Sequence, residues 1–165
     1  QNLHVWDVVS LGRAPYTNWV GRLTEEDRVK VRESLALVGM EAFAEASMDS
    51  LSDGERQRVM IARALAQDTP IILLDEPTAF LDLPNKYEIC LLLKRLAHKE
   101  GKCILFSTHD LSIAIELCDT IVMIEGGKFH YGTAEMLMEE GVMQRIFENT
   151  QIEFDRERGN VRLKK

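Results

Sequence analysis

The stretch Ile71-Ile72-Leu73-Leu74-Asp75-Glu76-Pro77-Thr78 decides the fold of this chain, because four consecutive apolar residues lead directly into two carboxylates. A short, uninterrupted apolar run is typical of a strand that is buried on both faces, as in a parallel sheet covered by helices. Adjacent carboxylates at the end of such a strand repel each other and lose hydration, so a bound divalent cation would offset their cost. The alternative is a strand that merely exits into a polar turn, where the pair Asp-Glu is common.

Two further short apolar runs, Cys103–Phe106 and residues 120–124, follow in the second half of the chain. Helical patterns at residues 84–100 and at Leu111–Leu117 separate the three runs from one another. Strands that alternate with helices predict an α/β fold with a parallel sheet. We therefore expect the strand at residues 120–124 to extend the same sheet as the first two.

The first half of the chain is predicted to be helical. Thr24 precedes three acids, which is typical of a capped helix N-terminus, and apolar residues then recur at helical spacing as far as Gly39. The segment at residues 12–21 is rich in aromatic residues, Gly and Pro, and is predicted to be a surface loop. The other helices of this half are predicted at residues 3–11, 41–46 and 51–67.

The end of the chain is predicted to hold a hairpin, two short helices and a tail. The Gly126-Gly127 pair predicts a tight turn into a strand at residues 128–131. The short helices are predicted at Ala134–Glu139 and at residues 142–147. Weak apolar alternation in residues 151–165 is compatible with a second, small hairpin.

The segment Leu51-Ser52-Asp53-Gly54-Glu55 begins the long helix of the first half. Ser52 and Glu55 have the spacing of a capping box, so this segment has a sufficient explanation as a well-capped helix start. The same free backbone N–H groups and the positive end of the helix dipole also attract phosphate, and Gly54 permits close approach. Both interpretations stay open on these residues alone.

His109 follows the second apolar run, in the segment Ser107-Thr108-His109-Asp110. The carboxyl ends of parallel strands meet at one edge of a sheet, where ligands bind, so His109 is expected on the same edge as Asp75 and Glu76. A lone histidine is usually structural, but this position favours a role near a transferred phosphate. The remaining histidines have no comparable context, and we assign them no role.

Composition restricts the classes of function. The chain has 165 residues, a net charge of −7 and 45% hydrophobic residues, which suits a globular protein and argues against nucleic acid as a partner. No apolar stretch approaches the roughly 20 residues that span a bilayer, and the N-terminus lacks the features of a signal peptide. Three widely spaced cysteines, Cys90, Cys103 and Cys118, lie within apolar patterns and predict reduced core thiols. We expect a cytosolic compartment.

Taken together and in this order, the motifs resemble those of ABC transporter ATPase subunits. Residues 51–58 resemble the signature, residues 71–76 the Walker B strand with its catalytic glutamate, Leu81-Asp82 the D-loop and His109 the H-loop. Residues 8–16 further resemble the helical subdomain of importers for iron siderophores, haem or cobalamin. The resemblance implies a partial P-loop NTPase (RecA-like) parallel sheet with helices, preceded by an α-helical subdomain. The implied divisions are a helical subdomain at residues 1–50, the C-terminal part of the ATPase core at 51–150 and a tail at 151–165.

The resemblance also implies roles for individual residues. In this family two ATPase subunits pack head to tail, and ATP with Mg²⁺ lies between the phosphate loop of one and the signature of the other. Asp75 would serve Mg²⁺, whereas Glu76 and His109 would be catalytic, at the attacking water and the phosphate. The implied nucleotide-contacting residues are Ser52, Asp53, Gly54 and Glu55 of the signature and Asp82, which would link the two sites of the dimer. The helical subdomain would dock on a membrane permease, and the subunit would lie on the cytoplasmic face of the membrane as a peripheral protein.

Two departures from the family pattern limit these expectations. Asp53 and Glu55 stand where the commonest signature has glycine and glutamine, and the added negative charge is expected to weaken ATP affinity. No G-x-x-x-x-G-K-[ST] phosphate loop occurs in the 165 residues, and the resemblance implies a chain that starts just after the Q-loop. Phosphoryl transfer depends on positioning and charge neutralisation, so we expect no ATP hydrolysis by this chain alone.

The loss of neighbouring strands is expected to leave an apolar face and an unpaired edge on the sheet, and therefore to cause self-association.

Two rival functions remain. Chromosome-maintenance and DNA-repair ATPases share the signature and Walker B motifs, but they carry long coiled coils and the charge of −7 argues against DNA. The second rival is a non-catalytic interaction module that docks on a permease or on a full-length ATPase subunit.

Overall fold

The computed structural model describes residues 3–17, 21–155 and 160–164, which form two compact units, Gln1–Ser107 and Thr108–Lys165. This division does not coincide with the divisions implied at residues 50 and 150, which stay a prediction because they concern the family's subdomains. None of the described helices is long and apolar enough to cross a membrane.

The first unit begins with helices. Its α-helices in this part are α1 (Val5–Ser10), α2 (Glu25–Leu37) and α3 (Asp53–Ala66), and its 3₁₀ helices are Leu11–Tyr16, Glu41–Phe43 and Met48–Ser50. The loop predicted at residues 12–21 was therefore wrong for residues 12–16, and residues 18–20 lie outside the described residues. Proline and glycine exclude regular α-helix from that segment, but they do not prevent a 3₁₀ turn.

Two capping boxes fix where the longer helices start. The Thr24 hydroxyl accepts a hydrogen bond from the Asp27 N–H, and Ser52 makes the equivalent bond with Glu55. The faces of α1, α2 and α3 that point towards one another bury aliphatic side chains. The core of this part includes Val5, Val9, Val31, Leu35, Val59, Ile61 and Ala62. This packing holds the start of α3 on a rigid support.

A two-stranded parallel sheet completes the first unit. Strand β1 (Ile71–Leu74) is joined through helix α4 (Leu83–Glu100) to strand β2 (Cys103–Phe106), and Ile71 pairs with Cys103. Ile72 is buried, whereas Leu73 is 70% exposed and Leu105 is 57% exposed. Helices therefore cover only one face within the described residues, and the expectation of strands covered on both faces was wrong. The uncovered face is apolar, since Ile71, Leu73 and Leu105 are exposed on it.

The second unit contains the remaining elements. These are α5 (Leu111–Leu117), β3 (Ile121–Glu125), β4 (Lys128–Gly132), α6 (Ala134–Glu139), α7 (Val142–Arg145), β5 (Ile152–Asp155) and β6 (Asn160–Leu163). Strand β3 pairs with β4 and β5 with β6, both antiparallel. The prediction that β3 extends the parallel sheet was wrong for the described residues. Gly126 and Gly127 have positive φ angles of 53° and 78°, which return the chain at once alongside β3.

None of the three cysteines forms a disulfide, and Cys90 is buried. Cys118 is half-buried and packs against the core of the second unit, whereas Cys103 is exposed, so the prediction of a core thiol was wrong for Cys103. Cys103 is in register with Ile71, whose side chain is 56% exposed. Successive side chains of a strand point to opposite faces, so an apolar pattern alone does not say which face is covered.

Candidate functional site

The carboxyl edge of the parallel strands is built around Ser107. The Ser107 N–H donates to the carbonyl of Leu74 at 3.1 Å, which extends the β1–β2 register beyond both strands. The Ser107 hydroxyl donates to Asp75 Oδ1 at 2.6 Å and accepts a hydrogen bond from the Glu76 N–H at 2.9 Å. One side chain thus orients the Asp75 carboxylate and the backbone of Glu76. Sequence reasoning missed Ser107, although the pairing of Leu74 with Phe106 places it directly beside Asp75.

Glu76 has an unusual backbone conformation. Its φ angle is 43°, in the left-handed region that non-glycine residues rarely adopt and that costs on the order of 1–3 kcal/mol. The turn that follows is held by a 3.0 Å hydrogen bond from the Ala79 N–H to the Glu76 carbonyl, and Thr78 is buried. The Glu76 side chain is half-buried, whereas Asp75 is exposed. Two successive carboxylates are therefore held in different environments.

The N-terminus of α3 is closed by a reciprocal pair of hydrogen bonds. The N–H and hydroxyl of Ser52 donate to Glu55 Oε2 at 2.8 Å and 2.7 Å, respectively. These bonds, the hydroxyl bond first, lower the pKa of Glu55 below its usual value of 4.5. Asp53 forms an exposed ion pair with Arg56, with 2.8 Å between Oδ1 and Nη2. Both acids that depart from the commonest signature thus have partners within the first turn and a half of the helix.

Gly54 and Asp82 lie close to a common neighbour, Asn85. Gly54 is buried, and a Cβ added to it would lie 2.7 Å from Asn85 Oδ1. Asp82 is the N-cap of α4, and its Oδ1 accepts hydrogen bonds from the Asn85 N–H at 3.1 Å and from Asn85 Nδ2 at 2.7 Å. Sequence reasoning predicted roles for Gly54 and Asp82 but gave no signal for Asn85, because the contact joins two helices.

His109 lies in the second unit, between β2 and α5. It is exposed, and the Asp110 that follows caps α5 by accepting from the Ile113 N–H at 3.3 Å. The Thr108 hydroxyl accepts from the Asp110 N–H at 3.0 Å and shapes the same turn. The expected position of His109 beside the carboxylates of the first unit stays a prediction.

A cleft of about 340 Å³ separates α3 from β1 and reaches Asp75. Its lining consists of Gln57, Met60, Arg63, Ala64 and Gln67 from the helix side and Leu73, Leu74 and Asp75 from the strand side. Asp75, which is exposed, lies at the strand side of this cleft. Its walls combine apolar strand residues with polar helix residues.

The far end of α3 is fixed by a buried ion pair. Arg13 Nε donates to Asp27 Oδ1 at 2.8 Å, and Arg13 Nη1 donates to the carbonyl of Ala66 at 2.9 Å. The Tyr16 ring stacks on the Arg13 guanidinium at 4.1 Å, and its hydroxyl donates to the carbonyl of Gln67 at 2.8 Å. This cluster ties the segment predicted as a loop to the last turn of α3. The sequence offered no signal for it, since a single arginine in a Gly- and Pro-rich segment is ordinarily exposed.

The carboxyl edge fits a magnesium ion of the kind that nucleotides bring. No group of three or more His, Cys, Asp or Glu that could hold a metal ion occurs among residues 3–17, 21–155 and 160–164. Magnesium at nucleotide sites is typically bound through one or two carboxylates together with phosphates and water, and the exposed Asp75 offers one such carboxylate.

Sequence comparisons identify related proteins. The family profile described as "ABC transporter" matches residues 1–79. The iron(3+)-hydroxamate import ATP-binding protein of Bacillus subtilis is 41% identical over 147 residues, which cover 88% of this chain and 55% of that protein. The achromobactin transport ATP-binding protein of Dickeya dadantii is 40% identical over 148 residues, which cover 89% of this chain and 55% of that protein. The chain therefore spans about half the length of the curated relatives it matches.

Solved structures of ABC transporter proteins also resemble this chain. A metal-chelate type ABC transporter in an inward-facing conformation matches with a TM-score of 0.79 and 29% identity, over 84% of this chain and 55% of that chain. An ATP-binding cassette dimer bound to ADP and phosphate matches with a TM-score of 0.62 and 34% identity, over 79% of this chain and 56% of that chain. The fold is accordingly that of the ABC ATPase domain, in part.

Proposed function

Because the chain belongs to the family of ABC transporter ATP-binding proteins, we propose that it forms the signature- and carboxylate-bearing part of an ATPase subunit that drives import. The proposed cargo is an iron siderophore, haem or cobalamin. Support comes from the similarity to ATP-binding proteins named for achromobactin, iron(3+)-hydroxamate and cobalamin import. The ABC ATPase family implies ATP hydrolysis, and we propose that these residues contribute to the same activity.

The observation that carries the proposal is that the Ser107 hydroxyl forms hydrogen bonds with both the Asp75 carboxylate and the Glu76 N–H. A hydrolytic site needs one carboxylate for Mg²⁺ and a second group that positions or deprotonates water. The Ser107 hydroxyl orients the Asp75 carboxylate and also accepts from the Glu76 N–H, and Glu76 has a left-handed backbone with a φ angle of 43°. We assign the magnesium to Asp75 and the attacking water to Glu76. Bound magnesium would neutralise the charge that develops on the phosphates.

The residues at the start of α3 are assigned to the nucleotide of a second subunit. Ser52 and Gly54 would contact its terminal phosphate through their backbone N–H groups and the Ser52 hydroxyl. Asp53 and Glu55 border this contact: Asp53 pairs with Arg56, and Glu55 accepts the N–H and the hydroxyl of Ser52, so a phosphate would have to displace the Glu55 carboxylate from these donors. His109 would contact the transferred phosphate, and Asp82 would link the two sites of the dimer.

The partners follow from the same proposal. A second ATPase subunit would pack head to tail against this one, and residues 1–50 would dock on a transmembrane permease. The protein would then act on the cytoplasmic face of the membrane as a peripheral subunit. The rival function is a non-catalytic module that binds a permease or an intact ATPase subunit.

The test uses a fusion in which the N-terminal half of the Bacillus subtilis relative, with its phosphate loop, precedes residues 1–165. ATP hydrolysis is measured for the fusion, for its Glu76→Gln variant and for the 165-residue chain alone. We expect hydrolysis by the fusion only. Loss of the carboxylate should reduce the rate by about 10²–10⁴-fold, the usual contribution of a general base. Asp49→Asn, an exposed acid upstream of the signature, is the matched control.

Hydrolysis by the 165-residue chain alone would overturn the expectation that ATP hydrolysis requires a phosphate loop in addition to these residues. A folded fusion that binds ATP but hydrolyses it equally well with and without Glu76→Gln would refute the role of Glu76. A fusion that binds an intact relative without hydrolysing ATP would favour the interaction module.

A further inference from the structure

The N-terminal ends of α3 and α4 meet at one side chain, Asn85. Gly54 is the second residue of α3 and is buried. A Cβ on Gly54 would lie 2.7 Å from Asn85 Oδ1 and 3.1 Å from its Cγ, and real Cβ atoms essentially never approach another heavy atom as closely as the first of these distances. The amide of Asn85 therefore occupies the space that any other residue at position 54 would fill.

The opposite end of the same amide is bonded to Asp82. Asn85 Nδ2 donates to Asp82 Oδ1 at 2.7 Å, and the Asn85 N–H donates to the same oxygen at 3.1 Å. Two donors from one residue hold this carboxylate oxygen, and the bond fixes the orientation of the Asn85 amide. A continuous path of contacts thus runs from Asp82 through Asn85 to Gly54.

A second link, one turn further along, fixes the register of the two helices. Arg58 Nη2 donates to Glu88 Oε2 at 2.8 Å, and Arg58 Nη1 donates to the carbonyl of Val38 at 3.3 Å. The Glu88 side chain is 61% exposed, so this ion pair contributes little to stability. The contact of Asn85 with the buried Gly54 is the less exposed of the two links.

We propose that Asn85 is a positioning residue that holds the Asp82 carboxylate against the start of α3, so that Asp82 and the signature move as one body. The meaning of this link for ATP hydrolysis rests on the proposed function, in which Ser52 and Gly54 face a phosphate and Asp82 faces the second site. The link itself requires no nucleotide. A change in the environment of Asp82 therefore reaches Gly54 through the Asn85 amide.

The first test is an NMR experiment on the 165-residue chain. Asp82→Ser keeps a hydroxyl cap for α4 but removes the carboxylate, and we expect it to shift the amide resonance of Gly54. In an Asn85→Ala background the same change should leave the Gly54 resonance in place. Glu88→Gln breaks the neighbouring link and should leave the response intact.

The second test uses stability and requires no resonance assignment. Gly54→Ala should lower the midpoint of urea unfolding because its Cβ meets Asn85 Oδ1. Asn85→Ala should restore much of this loss, since the Cβ of residue 85 lies 3.7 Å away, an ordinary contact. If Asn85→Ala prevents folding, the same comparison with Gly54→Ala is made with Asn85→Ser, whose side chain is also shorter than that of asparagine.

The proposal would be overturned if the urea midpoint shifts of Gly54→Ala and Asn85→Ala were additive in the double variant. It would also be overturned if Asp82→Ser still shifted the Gly54 amide resonance in the Asn85→Ala chain. Neither test involves nucleotide, so a negative result leaves the proposed function to the hydrolysis experiment. Conversely, a fusion that fails to hydrolyse ATP would not remove a link observed by NMR and by unfolding.

Discussion

Replacement of Asp27 by alanine is expected to destabilise the chain more than any change to its exposed ion pairs. Asp27 is 3% exposed and Arg13 is 6% exposed, so both charges of the pair lie in the interior. The two carboxylate oxygens have separate partners, since Oδ1 accepts from Arg13 and Oδ2 accepts from the N–H and hydroxyl of Thr24 at 2.9 Å and 2.8 Å. Removal of the side chain therefore leaves a buried guanidinium and an incomplete cap.

The expected magnitude follows from the uncompensated charge. Removal of one partner from a buried ion pair typically costs about 3–5 kcal/mol. Without Asp27, Arg13 retains its hydrogen bond to the Ala66 carbonyl and its contact with the Tyr16 ring, and neither of these carries a compensating negative charge. With an m-value of about 2 kcal/mol/M, the urea midpoint should fall by roughly 1.5–2.5 M.

The assay is urea unfolding followed by circular dichroism, with Asp53→Ala as the matched control. Asp53 also pairs with an arginine at 2.8 Å, but its side chain is 69% exposed, and such pairs contribute about 0.2–1 kcal/mol. Asp27→Asn retains the shape and the acceptor and should give an intermediate loss. A loss for Asp27→Ala no larger than that for Asp53→Ala would refute the argument.

The pH dependence gives an independent check. The backbone N–H and the hydroxyl of Thr24, and then the Arg13 guanidinium, hold the pKa of Asp27 below its ordinary value of 3.8. The native state therefore binds fewer protons at this site than the unfolded state. The stability that Asp27 contributes is fully present above pH 3.8 and is lost as the pH falls through the lower native pKa. The difference in urea midpoint between the parent and Asp27→Asn should thus be constant near neutral pH and should shrink as the pH falls below 3.8.

Two further predictions concern the edge and the open face of the parallel sheet. Ser107→Ala in the fusion should reduce ATP hydrolysis by about 10–100-fold, the usual effect of losing a residue that orients a metal ligand. Ser107→Thr retains the hydroxyl and should keep most of the rate. Equal rates for the two variants would contradict the role of Ser107. The 165-residue chain should self-associate through the apolar face of its sheet, and light scattering measures the mass of the resulting species. Leu73 is 70% exposed, so Leu73→Lys should shift the chain towards the monomer. A parent chain that is already monomeric would exclude this association.

Local signals predicted most elements because each of them acts within a few residues. The capping pairs Thr24–Asp27 and Ser52–Glu55 define two helix starts, and the apolar runs at β1 and β2 coincide with the strands residue for residue. The third run shows where this reasoning stops. Residues 121–125 have the same apolar character as β1, yet β3 is antiparallel, because the direction of pairing is set by the turn that follows and by which neighbours are present.

The same limit explains which parts of the site were missed. The sequence singles out Asp75 and Glu76 as candidates because two charges after an apolar run are costly wherever the strand lies. Ser107 and Asn85 are ordinary polar residues whose importance depends on distances set by strand register and by the packing of α3 on α4. A sequence pattern records the residue that bears the charge, whereas only the assembled fold shows the neutral residue that orients it. Comparable positioning residues in related chains should therefore be sought at register positions beside the charged motifs, since the Leu74–Phe106 pair leads directly to Ser107.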